Sequence, residues 1–304
     1  MHRVPGVPEH ARQLPADIRT LTVDPGLLRA MSKDIQGEFF CLNPSVAVHQ
    51  GQLLASVRVQ FRSVPHSRGV IGRIDDDWQL KDARWMRDYD GRPKNPNGRC
   101  LGFEDCRLFS WNGRLAACAT VCDRVPNDPY QKLAVLEISD AGDVMHVHVQ
   151  PSRRQEKNWM PLVQDDKLKF VYSFDPYVIV EYDATHHRVH PSATDLPMPA
   201  STIRGGSQLV PYGDGYLAVV HTVHAPQVPR AKNVYMHQLA LFDRDARPVR
   251  RSEPFYFEHH GLEFCAGLAL WRDTVVLSYG VSDRYPKLAL VNKAVVERMV
   301  GPNS

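Results

Sequence analysis

No stretch of the chain approaches the ~18 consecutive apolar residues that a membrane helix requires. Met1 to Pro15 interleave Pro, Arg and His without an apolar run, which is unlike a secretory leader. These two absences set the expectation of a cytoplasmic protein without a membrane span. Nor is there an excess of either charge. Lys and Arg number 37 against 34 Asp and Glu, a net +3 with His neutral. Such a balance gives no reason to expect a nucleic-acid or membrane-surface partner, and no basic stretch is interleaved with stacking aromatics. Six cysteines (Cys41, Cys100, Cys106, Cys118, Cys122 and Cys265) make neither a CxxC pair nor a zinc spacing. They read as reduced thiols. Arg204-Gly-Gly-Ser is too short for a phosphate-cradling loop and no helix follows it. Among the 14 histidines, His146/His148, His186/His187 and His259/His260 read as surface positions without a matched set of metal ligands. No cofactor and no metal are therefore expected.

What the chain does have is repetition. Its 304 residues, 43% hydrophobic and 23% charged, allow one large all-β domain or two smaller ones with a core that needs no staples. The 23 prolines and 19 glycines suit many turns between short strands. One unit begins Cys41-Leu-Asn43-Pro44-Ser45, turns at Gly51 and runs on from Leu53 to Phe61. A second begins Gly102-Phe-Glu104-Asp105-Cys106-Arg107, turns at Asn112-Gly113 and continues from Leu115 to Cys122. The third begins Glu156-Lys157-Asn158-Trp159 and turns at Asp165-Asp166; the fourth begins Arg204-Gly205-Gly206-Ser207 and turns at Gly213-Asp214-Gly215. The fifth begins Glu263-Phe264-Cys265 and turns near Arg272-Asp273.

Each unit is a polar or small cluster, a short apolar strand, a tight turn and a second strand of β-branched and aromatic residues. Asn-Gly and Asp-Gly tolerate the positive φ of hairpin turns. Further strand-like pieces, such as Lys132 to Ile138 and Val234 to Phe242, give three or four strands per unit. Unit anchors lie roughly 47 to 62 residues apart, near the long end of a propeller-blade period. A β-sandwich needs no such period. The pattern predicts an all-β fold, a five-bladed β-propeller over residues 36–304. Residues 1–35 form an arm in which Pro25-Gly-Leu-Leu opens a short helix.

In a propeller, the first strand of each blade lines the axis, so its opening residues converge. Here that convergence would collect Asn43, Ser45, Glu104, Asp105, Arg107, Lys157, Asn158, Arg204 and Glu263. Charges buried together cost several kcal/mol unless paired, which favours a functional pocket over a purely structural plug. Adjacent residues on a strand point to opposite faces, so only one of Glu104 and Asp105 is expected to face the axis. That one would be a candidate general acid, its pKa raised by crowding and burial. His221, within Leu217-Ala-Val-Val-His-Thr-Val, reads equally as a core or a pocket histidine.

These motifs resemble the five-bladed mannoside phosphorylases of glycoside hydrolase family 130 and their mannosyltransferase relatives, over about residues 38 to 290. Phe103-Glu104-Asp105-Cys106-Arg107 resembles the family's Glu-Asp-Pro-Arg signature, whose Asp is the catalytic acid. Asn43-Pro44-Ser45 and Arg58 resemble the Asn-Pro segment and following-strand Arg of the sugar subsite. Glu156-Lys157-Asn158 is similar to Asn-Lys-Asp. Gly206 to His221 is similar to the Gly-rich strand pair whose His helps hold phosphate. Tyr279-Gly280-Val281-Ser282-Asp283 is similar to Tyr-Gly-Ala-Ala-Asp, whose Asp contacts the sugar. Cys106 stands for the usual Pro, and Thr202 and Phe174-Asp175-Pro176 stand where the family's phosphate site has a Lys and an Arg.

The resemblance implies an inverting enzyme that transfers a mannose-like glycosyl unit, a glycosyltransferase or glycoside phosphorylase acting on a carbohydrate. Asp105 would be the catalytic acid/base, acting directly or through a sugar hydroxyl. Asn43, Ser45, Arg58, Glu104 and Asp283 would bind substrate. Arg107, Lys157, Arg204 and His221 would face inorganic phosphate or a sugar-nucleotide donor. Two alternatives stand beside it. A glycoside hydrolase would use Glu156 or Glu263 to activate water ~6.5–9.5 Å from the acid. A non-catalytic glycan-binding propeller would use the same pocket without turnover.

Overall fold

The computed structural model describes residues 7–31, 38–62, 66–90, 101–124, 128–225 and 232–301. Cys100 and parts of the expected arm (1–6 and 32–35) lie outside them.

Hairpins form where the turn chemistry asks for them. Gln50-Gly51, Asn112-Gly113 and Asp165-Asp166 each have both central residues at positive φ, the geometry whose twist matches that of the flanking strands. Each turn joins the first two strands of a unit, Phe39–His49 with Gln52–Phe61, Glu104–Trp111 with Arg114–Val121, and Met160–Gln164 with Lys167–Phe174.

Carried along the chain, this local rule yields five separate hydrogen-bonded sheets in a propeller arrangement. Four are up-and-down meanders of four strands, the first of them extended by the short strand Leu101–Gly102. The fourth sheet in chain order departs from that pattern. Its inner edge is interrupted into Ile203–Gly205 and Val210–Tyr212, both paired to Gly215–His224, and Val234–Phe242 continues it outward. Gly205 and Gly206 sit at the interruption, where an added Cβ would lie 2.1 Å from Asn158 O and 2.6 Å from Val219 O.

Apolar faces of neighbouring sheets cover one another. Ala47 and Ile71 of the first sheet pack with Leu108 and Ala117 of the second. Cys118 and Leu133 pack with Phe170 and Val180 of the third, and Met160 and Val171 with Ala218 and Val220 of the fourth. Leu217 and Leu239 meet Leu268 and Leu277 of the fifth, and Ala269 and Val276 return to Val57 and Val70 of the first. No sheet buries both faces alone, which is why the repeat is needed for a stable core.

The N-terminal arm joins this scheme instead of lying outside it. Asp17–Thr20 is the outermost strand of the fifth sheet, antiparallel to Tyr285–Asn292. Leu14 and Leu21 enter the clusters on either side. A helix spans Pro25–Met31, with Asp24 Oδ1 accepting from Gly26 N at 2.7 Å. A second helix, Lys293–Val300, which the strand-like sequence before it did not announce, is capped by Asn292 and buries Val296 and Val300. Among the described residues, no helix is long and apolar enough to cross a membrane.

First strands meet on the axis. Gln208 donates to Val46 O and Leu268 O, tying the fourth sheet to the first and fifth. Arg107 runs from the second sheet to Gly206 O of the fourth and Asn158 Oδ1 of the third. Ser45 Oγ accepts from Leu108 N at 2.9 Å. Gln208, Arg107 and Ser45 are themselves buried, so their ties fill the middle of the axis and leave open space at its end.

Candidate active site

A pocket of about 250 Å³ opens at that end, and seven of the ten expected site residues line it: Asn43, Arg58, Asp105, Lys157, Arg204, His221 and Asp283. Three do not, each for a visible reason. Ser45 is fully buried with its hydroxyl engaged by Leu108 N, so it holds two sheets together and cannot bind substrate. Arg107 is fully buried beneath the pocket and its guanidinium is spent on Gly206 O, Asp105 O and Asn158 Oδ1. It cannot face an anion as expected. Glu104 sits behind Arg58 and accepts from Arg58 Nη2 at 2.8 Å and Gln131 Nε2 at 3.0 Å. Its role is to hold the arginine.

Local backbone explains how the pocket side chains come to point the same way. Asn43, Asp105, Asn158 and Asp283 all have positive φ, at 43°, 49°, 64° and 53°. The ladder slips between Leu42 and Ser45, and again between Glu104 and Arg107. Asn and Asp are the residues that tolerate this left-handed conformation best. Such bulges re-aim side chains. Here they overturn the expectation from strict alternation, because Glu104 and Asp105 both reach Arg58, at 2.8 and 3.1 Å.

Asp105 is the electrostatic centre. Asn43 Nδ2 donates to Asp105 Oδ1 at 2.8 Å, and Arg58 Nη1 donates to the same oxygen. Burial on its own pushes the Asp105 carboxyl up, but Arg58, the Asn43 amide and Arg107 outweigh it, and the group is held below the usual carboxylate range. The expected raised pKa is therefore corrected: Asp105 stands as a carboxylate at neutral pH. Asp283, at the rim, moves the other way. Burial and then the Asp105 charge raise it, against Arg58, Lys232 and the Asn43 amide. Asn43 is itself wedged from behind, since a Cβ on Gly280 would lie 2.1 Å from its Oδ1.

His221 forms another wall. It is buried, stacks on Tyr235 at 5.4 Å and meets Phe264 edge-on at 5.4 Å, and its Nδ1 has no hydrogen-bond partner among the described residues. Burial first, then His237, Arg107 and Arg204, lower its pKa well below the ordinary value, so it is a neutral imidazole at pH 7. Tyr235 and Phe264 were not singled out in the sequence, where one lies inside the strand-like Val234 to Phe242 and the other in the opening of the fifth unit. Their place beside a polar pocket was not encoded locally.

Lys157 and Arg204 are exposed, and among the described residues neither makes an ion pair. With Asn158 they also line a groove of about 310 Å³ between the third and fourth sheets, floored by Tyr172 and Phe174 and edged by Met198. Glu156 and Glu263, the water-activating carboxylates of the hydrolase reading, are both structural. Glu156 accepts from Ser152 Oγ, Arg154 Nε and Trp159 Nε1. Glu263 accepts the N–H groups of Phe257, Glu258 and His259. Neither lines the pocket, and Glu156 reaches only the groove beside it.

Comparison with solved structures places this arrangement. A β-1,2-mannobiose phosphorylase from Listeria innocua, in complex with β-1,2-mannobiose, superposes with a TM-score of 0.59 at 13% identity, covering 87% of this chain and 94% of that one. The chain has the fold of the mannoside phosphorylases. A mannose phosphorylase from Leishmania mexicana, in complex with a phosphate ion, matches this phosphorylase fold over 97% of the present chain and 95% of its own, at a TM-score of 0.61 and 11% identity. A glycosyl hydrolase from Bacteroides ovatus matches it at 0.61 and 14%, over 85% of each chain. No family profile and no curated protein sequence matches the chain. At these identities the shared property is the fold.

Proposed function

We propose that the protein is an inverting carbohydrate-active enzyme on a five-bladed ring, each hydrogen-bonded sheet counted as one blade. It moves a mannose-like glycosyl unit between a hydroxyl acceptor and a phosphate-bearing partner, either inorganic phosphate or a sugar nucleotide. The observation that carries this reading is the division of the pocket: a carboxylate held by Asn43 and Arg58 on one side, and on the other two cations, Lys157 and Arg204, that have no acidic partner among the described residues. A sugar hydroxyl array suits the first, and a phosphoryl group suits the second. The mannobiose and phosphate complexes of two proteins with this fold are in keeping with both halves.

In this scheme Asn43, Arg58 and Asp283 hold the glycosyl ring, with Tyr235 and Phe264 as its apolar walls. Lys157, Arg204 and the neutral His221 receive the phosphate. The groove leading away past Tyr172 and Met198 takes the acceptor. Starting from sugar phosphate, Asp105 removes the acceptor proton directly or through a sugar hydroxyl. The acceptor oxygen then bonds to C1 as the C1–O(phosphate) bond breaks, and the phosphate leaves toward Lys157. In reverse, a protonated Asp105 returns that proton to the departing glycosidic oxygen while phosphate attacks C1 from the opposite face. The ionised resting state of Asp105 fits the synthetic direction.

A donor screen tests the proposal. Mannose 1-phosphate and nucleotide sugars are offered with simple acceptors, and glycosides with and without phosphate. Turnover dependent on a phosphate-bearing donor is expected. Turnover of glycosides with water alone, or sugar binding with no turnover on any donor, would favour the hydrolase and the lectin-like alternatives respectively.

A further inference from the structure

Away from the axis, the outer edges of the second and third sheets bring together three groups that the proposed reaction does not use. Glu137 lies on Lys132–Ile138, His148 on the edge strand Val144–Val149, and His187 in the turn before Arg188–His190. The His148 and His187 rings stack with centroids 3.8 Å apart and planes 3° from parallel. His148 Nε2 lies 2.7 Å from Glu137 Oε1, and one ligand atom from each of the three residues falls within 4.8 Å of the others. The backbone beneath is fixed. Gln150, fully buried, donates its amide to both His148 O (2.9 Å) and His187 O (3.3 Å), while its carbonyl accepts from Val189 N. Tyr182 OH lies 3.3 Å from His187 Nδ1.

From this geometry we infer that Glu137, His148 and His187 form a binding site for a divalent transition metal of the zinc class, bridging the two sheets. Two imidazoles and one carboxylate are the ligand chemistry of Zn²⁺, Co²⁺ or Ni²⁺; Mg²⁺ and Ca²⁺ prefer all-oxygen cages. Three protein ligands leave a fourth position for water. Tetrahedral binding needs donor atoms ~3.3 Å apart, given metal–nitrogen bonds near 2.0–2.1 Å. Because stacked rings aim their in-plane lone pairs in parallel, the site needs the exposed His187 ring to swing out of the stack before it and His148 can share one ion. The Tyr182 contact and the Gln150 clamp supply the outer support that orients ligating histidines in metal sites. The set is not legible in the sequence, because its members come from two different repeat units and meet only across the sheet boundary.

The test uses the full-length protein freed of metal with a chelator and titrated with Co²⁺. The expected result is one equivalent of bound ion with the visible band of four-coordinate cobalt, displaced by Zn²⁺. Excess Zn²⁺ should raise Tm by several degrees, through preferential binding to the folded state. His187→Ala, at an exposed position, and Glu137→Gln should both abolish band and Tm rise, and Tyr182→Phe should weaken binding about tenfold. A double variant, His186→Ala with His190→Ala, controls for the adjacent pair at Asp183 and should bind as the wild type does. Absence of the band and of the Tm rise in the wild type overturns the inference. So does their persistence in His187→Ala, or their loss in the His186/His190 variant alone.

Discussion

Two arginines that look equivalent in the sequence do different work, and depth separates them. Arg58 reaches the pocket and clamps Glu104 and Asp105, whereas Arg107 lies under it and joins three sheets. Arg107→Met should leave Gly206 O and Asn158 Oδ1 unpaired at ~1–3 kcal/mol each, measurable as a large loss of stability in urea. Arg58→Met should cost less stability and should act on catalysis, raising KM and freeing Asp105 to titrate higher. Gly280→Ala belongs with these. Its Cβ would collide with Asn43 Oδ1, so we expect a fall in kcat/KM together with ~1–3 kcal/mol of destabilisation. Equal stability and activity in Gly280→Ala would mean that Asn43 is not wedged. At this scale the sequence was only half legible. Residue types named the cluster, but which members face the pocket depended on bulges at Asn43 and Asp105, and strict strand alternation hides such bulges.

At the scale of elements, the fourth sheet carries the least regular strands and two buried histidines. His221 and His237 are both neutral at pH 7, the second lowered to about 3 by burial. A histidine whose folded pKa is depressed contributes stability above its unfolded value and loses it as pH falls below that value. For His237 the window runs from ~6.5 down to about 3. The loss is about 1.4 kcal/mol per pH unit within it. Tm should therefore drop between pH 6.5 and 5, and His237→Phe, in an aromatic surround of Phe255 and Phe257, should flatten that slope. An unchanged slope in the variant would assign the acid sensitivity elsewhere. Hairpins were the most legible elements of all. Asn112-Gly113 and Asp165-Asp166 carry their turn chemistry in adjacent residues. The interrupted inner edge at Gly205-Gly206 and the final helix after Asn292 depend on what packs against them, and so were not legible.

For the whole molecule, closure depends on an element remote in sequence. Asp17–Thr20 completes the last sheet, and Leu14 and Leu21 fill the cores on its two sides. Removing residues 1–22 should lower Tm sharply and expose the Tyr285–Asn292 edge to association, followed by calorimetry and light scattering. Retention of wild-type Tm and monodispersity would show that the arm is dispensable. The repeat announced the sheets, while the closing strand carries no repeat signature and could not be assigned from sequence.

One measurement bears most directly on the role of the axial pocket. Wild-type protein and Asp105→Asn are incubated with mannose 1-phosphate or a nucleotide sugar and an acceptor, and the anomeric configuration of the product is followed by NMR. The expected result is a glycoside of inverted configuration from the wild type, with a rate ~10²–10⁴-fold lower in the variant and sugar binding retained. A variant as active as the wild type, or a product of retained configuration, contradicts a pocket organised around the Asp105 carboxylate.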